Sequence, residues 1–287
     1  MEAPIGRKSA NILSTIVGVA LVSLVVVLIV SRSPTTPPFT ANKGQLIREL
    51  RDRKFQTLDT QPNSCQKGFE ENVSEEGNLS IAFETFTITD PAFHALLDDW
   101  VKGDPKSYPA HLARAKYLIA LAWQARGGEY ADKTSAQQFS EMTRLMGEAV
   151  KDALSAIKLK PKSSLAYASI IEAASAVSDN DVMEKVCAAG LKSVPLSLSI
   201  RGSMIYALRP RWGGSYEAMA MFAANAQKYA RQNPRLVRLK GYADEDKANS
   251  DRRAEELATD GDQAGAAIWR RVTVAIEQLT DTTGPPH

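Results

Sequence analysis

The chain is poor in the residues that most enzyme chemistry needs. It holds three histidines, His94, His111 and His287, and two cysteines, Cys65 and Cys187. A structural zinc site wants four Cys or His ligands with short pair spacings. No such spacing occurs, so no metal ion is expected. A hydrolase needs a nucleophile held by a base and an orienting acid, and no G-x-S-x-G, P-loop or H-E-x-x-H is present. His94 and Asp98 stand four residues apart, which on a helix is usually a surface hydrogen bond. No cofactor is implied, and the chain reads as a non-enzyme. An excess of charge of one sign is missing as well, with 35 basic against 33 acidic side chains and a net charge of +2. A nucleic-acid binder usually concentrates its basic residues in a stripe. The longest basic cluster, residues 231–240 with Arg235, Arg238 and Lys240, reads as a solvated helix face, so no nucleic acid is expected as a partner. Strand-like runs are almost absent. Residues 80–89 alternate partly, through Ile81, Phe83, Phe86 and Ile88, and read as a short helix or loop ending before Asp90-Pro91.

One long apolar run does exist. Residues 12–30, ILSTIVGVALVSLVVVLIV, carry no charge. At about 1.5 Å per residue they nearly span a hydrocarbon core of roughly 30 Å. A cleaved signal peptide is the rival, but its apolar region is usually shorter and ends in a small-x-small site. An uncleaved signal anchor is the better reading. Arg7 and Lys8 lead the run and Arg32 follows it. The basic leader favours an N-terminus in the cytoplasm and a domain outside the inner membrane. Residues 31–42, with three closely spaced prolines, read as an extended spacer. A disulfide between Cys65 and Cys187 is permitted in that compartment, but Cys187 lies on an apolar helical face where buried thiols are common.

Beyond residue 42 the dominant signal is helical. Tyr108, His111, Leu112, Ala115, Leu118, Ile119, Ala122 and Trp123 fall on one face. So do Phe139, Met142, Leu145, Met146, Ala149, Ala153 and Ile157, and so do Tyr216, Met219, Ala220, Phe222, Ala223, Ala226 and Tyr229. His111, on such a stripe, reads as a core or groove histidine bonded to backbone. A repeat lies beneath these stripes. Val101-Lys-Gly-Asp-Pro-Lys-Ser107, Ile157-Lys-Leu-Lys-Pro-Lys-Ser163 and Leu191-Lys-Ser-Val-Pro-Leu-Ser197 align without gaps, with a weaker copy at Gln232-Asn-Pro234. Pro161 and Pro195 are 34 residues apart, the tetratricopeptide period. In such repeats a proline stops helix B of one unit and a serine caps helix A of the next. The predicted A helices are residues 163–177 and 197–208, and the matching B helices are residues 181–192 and 215–231. The intervening A-to-B turns recur at a fixed offset: Ser178-Asp179-Asn180 and Trp212-Gly213-Gly214 each lie 17 to 19 residues after their proline, and Gly127-Gly128 lies 22 and 23 after Pro105, in a repeat that carries an insertion. Residues 262–279 read as a closing amphipathic helix.

Trp100…Pro105-Lys-Ser-Tyr108…His111, Ala122-Trp-Gln-Ala-Arg-Gly127 and Arg209-Pro-Arg-Trp-Gly-Gly-Ser215 together resemble an uncharacterised bacterial family, the domain of unknown function 4034. The resemblance covers residues 46–229 and implies a tetratricopeptide-like fold of bacterial origin. It implies no activity.

The expected architecture is therefore all-α: tetratricopeptide-like antiparallel helix pairs in a short right-handed solenoid, preceded by one transmembrane helix. Residues 1–11 form a tail, 12–30 the anchor, 31–42 the linker, 43–280 the helical domain and 281–287 a second tail. The expected function is a membrane-anchored interaction module or scaffold of the bacterial envelope with a protein or peptide partner. The alternatives are an envelope enzyme and a glycan- or peptidoglycan-binding domain. The expected binding residues are Trp123, Arg126, Arg211, Trp212 and Tyr216, because two A-to-B turns share Trp, Arg, a Gly pair and Tyr. Turns of equal phase line one edge of a solenoid. The competing reading has each Trp merely packing over its own turn.

Overall fold

A computed structural model describes residues 41–129 and 131–259. The anchor expected at residues 12–30 and the closing helix expected at 262–279 lie outside the described residues. Among the described residues no helix is long and apolar enough to cross a membrane. The regular structure there is helical throughout: α1 (Lys43–Arg51), α2 (Phe55–Glu71), α3 (Glu76–Glu84), α4 (Pro91–Gly103), α5 (Tyr108–Arg126), α6 (Ala136–Leu159), α7 (Ser164–Ala176), α8 (Asn180–Ser193), α9 (Leu198–Ala207), α10 (Tyr216–Gln227) and α11 (Arg238–Thr259). Four short 3-10 turns complete it. The helices predicted from the 34-residue period correspond to α7, α8, α9 and α10. The last of these stops at Gln227, and turns replace its expected final residues.

Local chemistry explains the starts and stops. Ser135 opens α6 with a reciprocal capping box: its hydroxyl accepts from the Gln138 N–H, and the Gln138 side chain accepts from the Ser135 N–H. This satisfies donors that a helix N-terminus otherwise leaves bare. The stripe Met142, Leu145, Met146, Ala149 and Ala153 then faces the core. α5 differs, since Ala110, Ala113 and Tyr117 are buried beside Leu112, Ala115, Leu118 and Ala122. A helix apolar nearly all round is a central one, and α5 packs on both α4 and α6.

Two turn types alternate along the chain. Asn72, Asp104, Lys160, Val194 and Asn233 share one backbone conformation, with φ between −142° and −132° and ψ between 74° and 108°. Each donates its N–H to the carbonyl four residues back, and its own carbonyl accepts an N–H from three residues ahead. Proline follows four of the five, and Val73 follows Asn72. The intervening turns carry a residue of positive φ instead: Arg53 at 55°, Gly127 at 79°, Ser178 at 58° and Gly213 at 87°. The alternation defines successive hairpins α1/α2, α3/α4, α5/α6, α7/α8 and α9/α10, although the α3/α4 turn has no positive-φ residue. The first helices of successive hairpins also touch, α5 on α7 and α7 on α9.

Serine capping was expected at all three sequence copies and occurs at two. The Ser107 and Ser197 hydroxyls accept from the Ala110 and Ile200 N–H groups, each at 3.1 Å. Ser163 makes no such bond, and its buried hydroxyl has no partner among the described residues.

The N-terminal segment folds back across one edge of the stack. The Gln66 amide donates to the Lys162 carbonyl, and Glu70 pairs with Lys160 at 3.0 Å. Buried Glu76 accepts from the Ser197 hydroxyl and from the Leu198 and Ser199 N–H groups at the start of α9. Neighbouring turns on this edge are tied directly as well. The Ser193 hydroxyl donates to the Pro161 carbonyl, and the Asn233 amide donates to the Leu196 carbonyl.

Candidate functional site

The opposite turns, where each hairpin reverses, supply the candidate site. The α5/α6, α7/α8 and α9/α10 turns together line a hollow of about 690 Å³ through Trp123, Arg126, Ser178, Asn180, Arg211 and Trp212. A second hollow, of about 260 Å³, shares Trp123 and Trp212 as a wall and adds Glu172, Ser175, Ser203 and Tyr206. The two indoles lie 5.6 Å apart between centroids, tilted by 54°. The Trp123 indole N–H donates to Glu172 at 3.0 Å. The Trp212 indole N–H is buried and meets no acceptor among the described residues. Tyr206 extends the aromatic row, 6.2 Å from Trp212.

Backbone constraints hold Trp212 in place. It ends the 3-10 turn Pro210–Trp212 and is followed by Gly213 in the left-handed region. A Cβ on Gly214 would sit 2.1 Å from the Leu208 carbonyl oxygen, so only glycine fits there.

The five expected binding residues divide into four groups. Trp123 and Trp212 meet, as the equal phase of their turns predicts. Arg126 serves its own turn: its guanidinium donates to the Gly127 and Glu129 carbonyls and lies over Phe139. Arg211 is exposed. It stacks on Tyr206 and Trp212, at 5.3 and 5.7 Å, and has no carboxylate partner among the described residues. Tyr216 does not join the edge. It is buried with Ile205, Met219 and Leu239, and its hydroxyl reaches the Asp246 carbonyl. Position 216 falls on the same helical face as Met219, Ala223 and Ala226, which turns it to the core.

Sequence reasoning did not single out Glu172 or Tyr206. Glu172 is the one charged residue of α7, amid small and apolar neighbours, and that isolation was the available signal. A charged cluster was missed too. Buried Asp152 accepts from Arg114 Nε at 2.6 Å and Nη2 at 2.8 Å, and lies 2.9 Å from His111 Nδ1. Arg114 also donates to Asp98. Burial alone pushes the Asp152 carboxyl up, but the hydrogen bonds from His111 and Arg114 and the guanidinium charge outweigh it and hold the group below the usual carboxylate range. His111 Nε2 contacts the Pro105 carbonyl at 3.1 Å, so both ring nitrogens are engaged. His94 lies 3.8 Å from Asp98, and its ring lies 5.2 Å from that of Tyr117, tilted by 38°.

Cys65 and Cys187 are buried thiols on α2 and α8, and no disulfide joins them. Burial, the largest influence on each, pushes both thiols up to about 11.

These features define an all-helical protein with an aromatic–cationic edge. Residues 43–184 match the family described as Domain of unknown function (DUF4034). The match takes in the Trp123 turn and ends before the Trp212 turn, so it is shorter than the resemblance over residues 46–229. No curated protein and no solved structure matches the chain.

Proposed function

We propose that the protein is a tetratricopeptide-like interaction module of the bacterial envelope. In this reading residues 12–30 anchor it in the inner membrane with the helical domain on the extracytoplasmic side. The edge built from Trp123, Trp212 and Arg211 receives an extended segment of a partner protein. The observation that carries the reading is the convergence of three A-to-B turns on one hollow around a pair of touching indoles. Aromatic and Arg side chains are the usual anchors of protein interfaces. Arg211, exposed and without a carboxylate, offers a planar donor fork to an acidic side chain.

The Glu172–Trp123 pair and the unpartnered Trp212 N–H favour a second reading, a glycan ligand, because aromatic faces with convergent polar groups suit sugar rings. A photo-crosslinking amino acid at position 178 in the full chain, activated in cells, separates the two. A defined protein adduct that disappears with Trp212→Ala and persists with Lys67→Ala, a substitution on the solvent face of α2, supports the peptide site. An adduct carrying only glycan supports the second reading. Adducts unaffected by Trp212→Ala overturn the edge as a site.

A further inference from the structure

Arg201 of α9 is 4% exposed and forms no ion pair with any described carboxylate. Its Nη1 donates to the Ser197 carbonyl at 3.1 Å, and its guanidinium lies 5.0 Å from the centre of the Tyr229 ring. Its other N–H groups meet no acceptor among the described residues. A guanidinium withdrawn from water normally has an anion against it, since the desolvation is otherwise uncompensated. Glu76 is near enough to be felt, but it spends its oxygens on Ser197, Leu198 and Ser199. Burial, the largest influence on Arg201, pushes its pKa down against the opposing influence of Tyr229, Cys187 and Glu76.

Beside this guanidinium lies a hollow of about 140 Å³, lined by Leu191, Pro195, Phe222, Asn225 and Tyr229. The lining mixes the polar residues Arg201, Asn225 and Tyr229 with the apolar Leu191, Pro195, Phe222 and Ala226. We propose that this hollow is a subsite for an apolar carboxylate, with Arg201 pairing the carboxylate and Leu191, Pro195 and Phe222 packing on the hydrocarbon part. Guanidinium and carboxylate match as two parallel N–H···O bonds. A bare phosphate satisfies the charge and leaves the apolar wall uncovered. The carboxylate comes either from the C-terminal residue of a partner chain or from a free short-chain acid. The subsite shares no residue with the Trp123–Trp212 edge and does not depend on it.

The test uses the full chain in detergent at fixed ionic strength. Thermal unfolding is followed while isovalerate, its neutral amide isovaleramide, or inorganic phosphate is added. Isovalerate raises Tm by roughly 3–5 °C when in about tenfold excess over its dissociation constant. The amide and phosphate give no comparable rise. The isovalerate increment vanishes in Arg201→Met, which removes the charge, and in Asn225→Phe, which fills the mouth of the hollow and leaves Arg201 intact. Should Arg201→Met fail to fold, Asn225→Phe carries the comparison alone. An octapeptide ending in Leu with a free carboxylate, set against its C-terminally amidated form, identifies the source. A free-carboxylate octapeptide that binds more tightly than isovalerate points to a chain terminus, and one that binds less tightly points to a free acid. Absence of any isovalerate increment, an equal increment from the amide, or an increment retained in the Asn225→Phe protein overturns the subsite.

Discussion

The indoles of Trp123 and Trp212 are in contact at 5.6 Å although they stand 89 residues apart in the chain. The two arginines that accompany them have diverged. Arg126 is tied to the carbonyls of its own turn, whereas Arg211 reaches outward over Tyr206 and Trp212. The matching composition of the two turns therefore hides two different duties. Arg126→Ala is expected to destabilise by about 1–2 kcal/mol through lost carbonyl hydrogen bonds, lowering Tm by roughly 2–6 °C. Arg211→Ala is expected to leave Tm within about 1 °C, as an exposed residue without an ion pair should. Differential scanning calorimetry of the two variants side by side checks this, and equal losses would remove the distinction.

Asp152 is the keystone of a buried charge cluster. Removing one member of such a cluster leaves the others uncompensated, at a cost of about 3–5 kcal/mol. Asp152→Ala is therefore expected to lose about that much stability at pH 7 in urea unfolding. The pH dependence follows from the depressed pKa of this carboxyl. The unfolded group protonates near pH 4, and the folded group lower still. The stabilisation is thus fully present above about pH 4 and is lost as pH falls through the folded value. The gap between wild type and variant should narrow on acidification below pH 4. A gap independent of pH would mean that the loss comes from packing instead.

How much was legible in the sequence depended on whether a turn carried its own chemical marker. The turns at residues 104, 160, 194 and 233 were visible because a proline follows each. The equivalent turn at Asn72 was not, because Val73 stands where the proline would, and the hairpin α1/α2 went unseen with it. The shared edge of Trp123 and Trp212 followed from turn phase alone, since that is a matter of counting residues. Tyr216 misled because it belongs to the composition that the two turns share, while the helical period of α10, on whose apolar stripe it also stands, sends it to the core. The Asp152 cluster was out of reach. Asp152 and Arg114 are 38 residues apart, and nothing in either local pattern distinguishes a buried ion pair from a solvated one.

Glu76 predicts a long-range coupling. Its carboxylate takes the Leu198 and Ser199 N–H groups, which α9 would otherwise leave bare at its positive end. Glu76→Ala should therefore act mainly at a helix that begins 122 residues away. The expected loss is about 1–3 kcal/mol, the range for hydrogen bonds to a buried charged group. The local signature is faster amide exchange at Leu198 and Ser199, with the amides of α6 unchanged. Uniform acceleration across all helices would show that the segment over this edge does not act locally.

The A-to-B turns make opposite demands on substitution, and this gives the sharpest test of the edge geometry. Gly213 has φ of 87° and Gly214 leaves no room for a Cβ, which would lie 2.1 Å from the Leu208 carbonyl oxygen. Gly213→Ala should cost about 1–2 kcal/mol, the usual penalty for an L-residue in the left-handed region. Gly214→Ala should cost more, because the obstacle is backbone and cannot rotate aside. It should also displace Trp212 and separate the indoles, shifting the tryptophan emission toward that of an exposed ring. Ser178 is the positive-φ residue of the α7/α8 turn, at φ of 58°, without being glycine. Ser178→Gly therefore relieves strain, offset partly by the greater freedom of glycine in the unfolded chain. The expected result is a stability equal to wild type or higher by up to about 1 kcal/mol, with the emission spectrum unchanged. A marked loss in Ser178→Gly, or a Gly214→Ala protein with native stability and emission, would contradict the placement of these turns on one constrained edge.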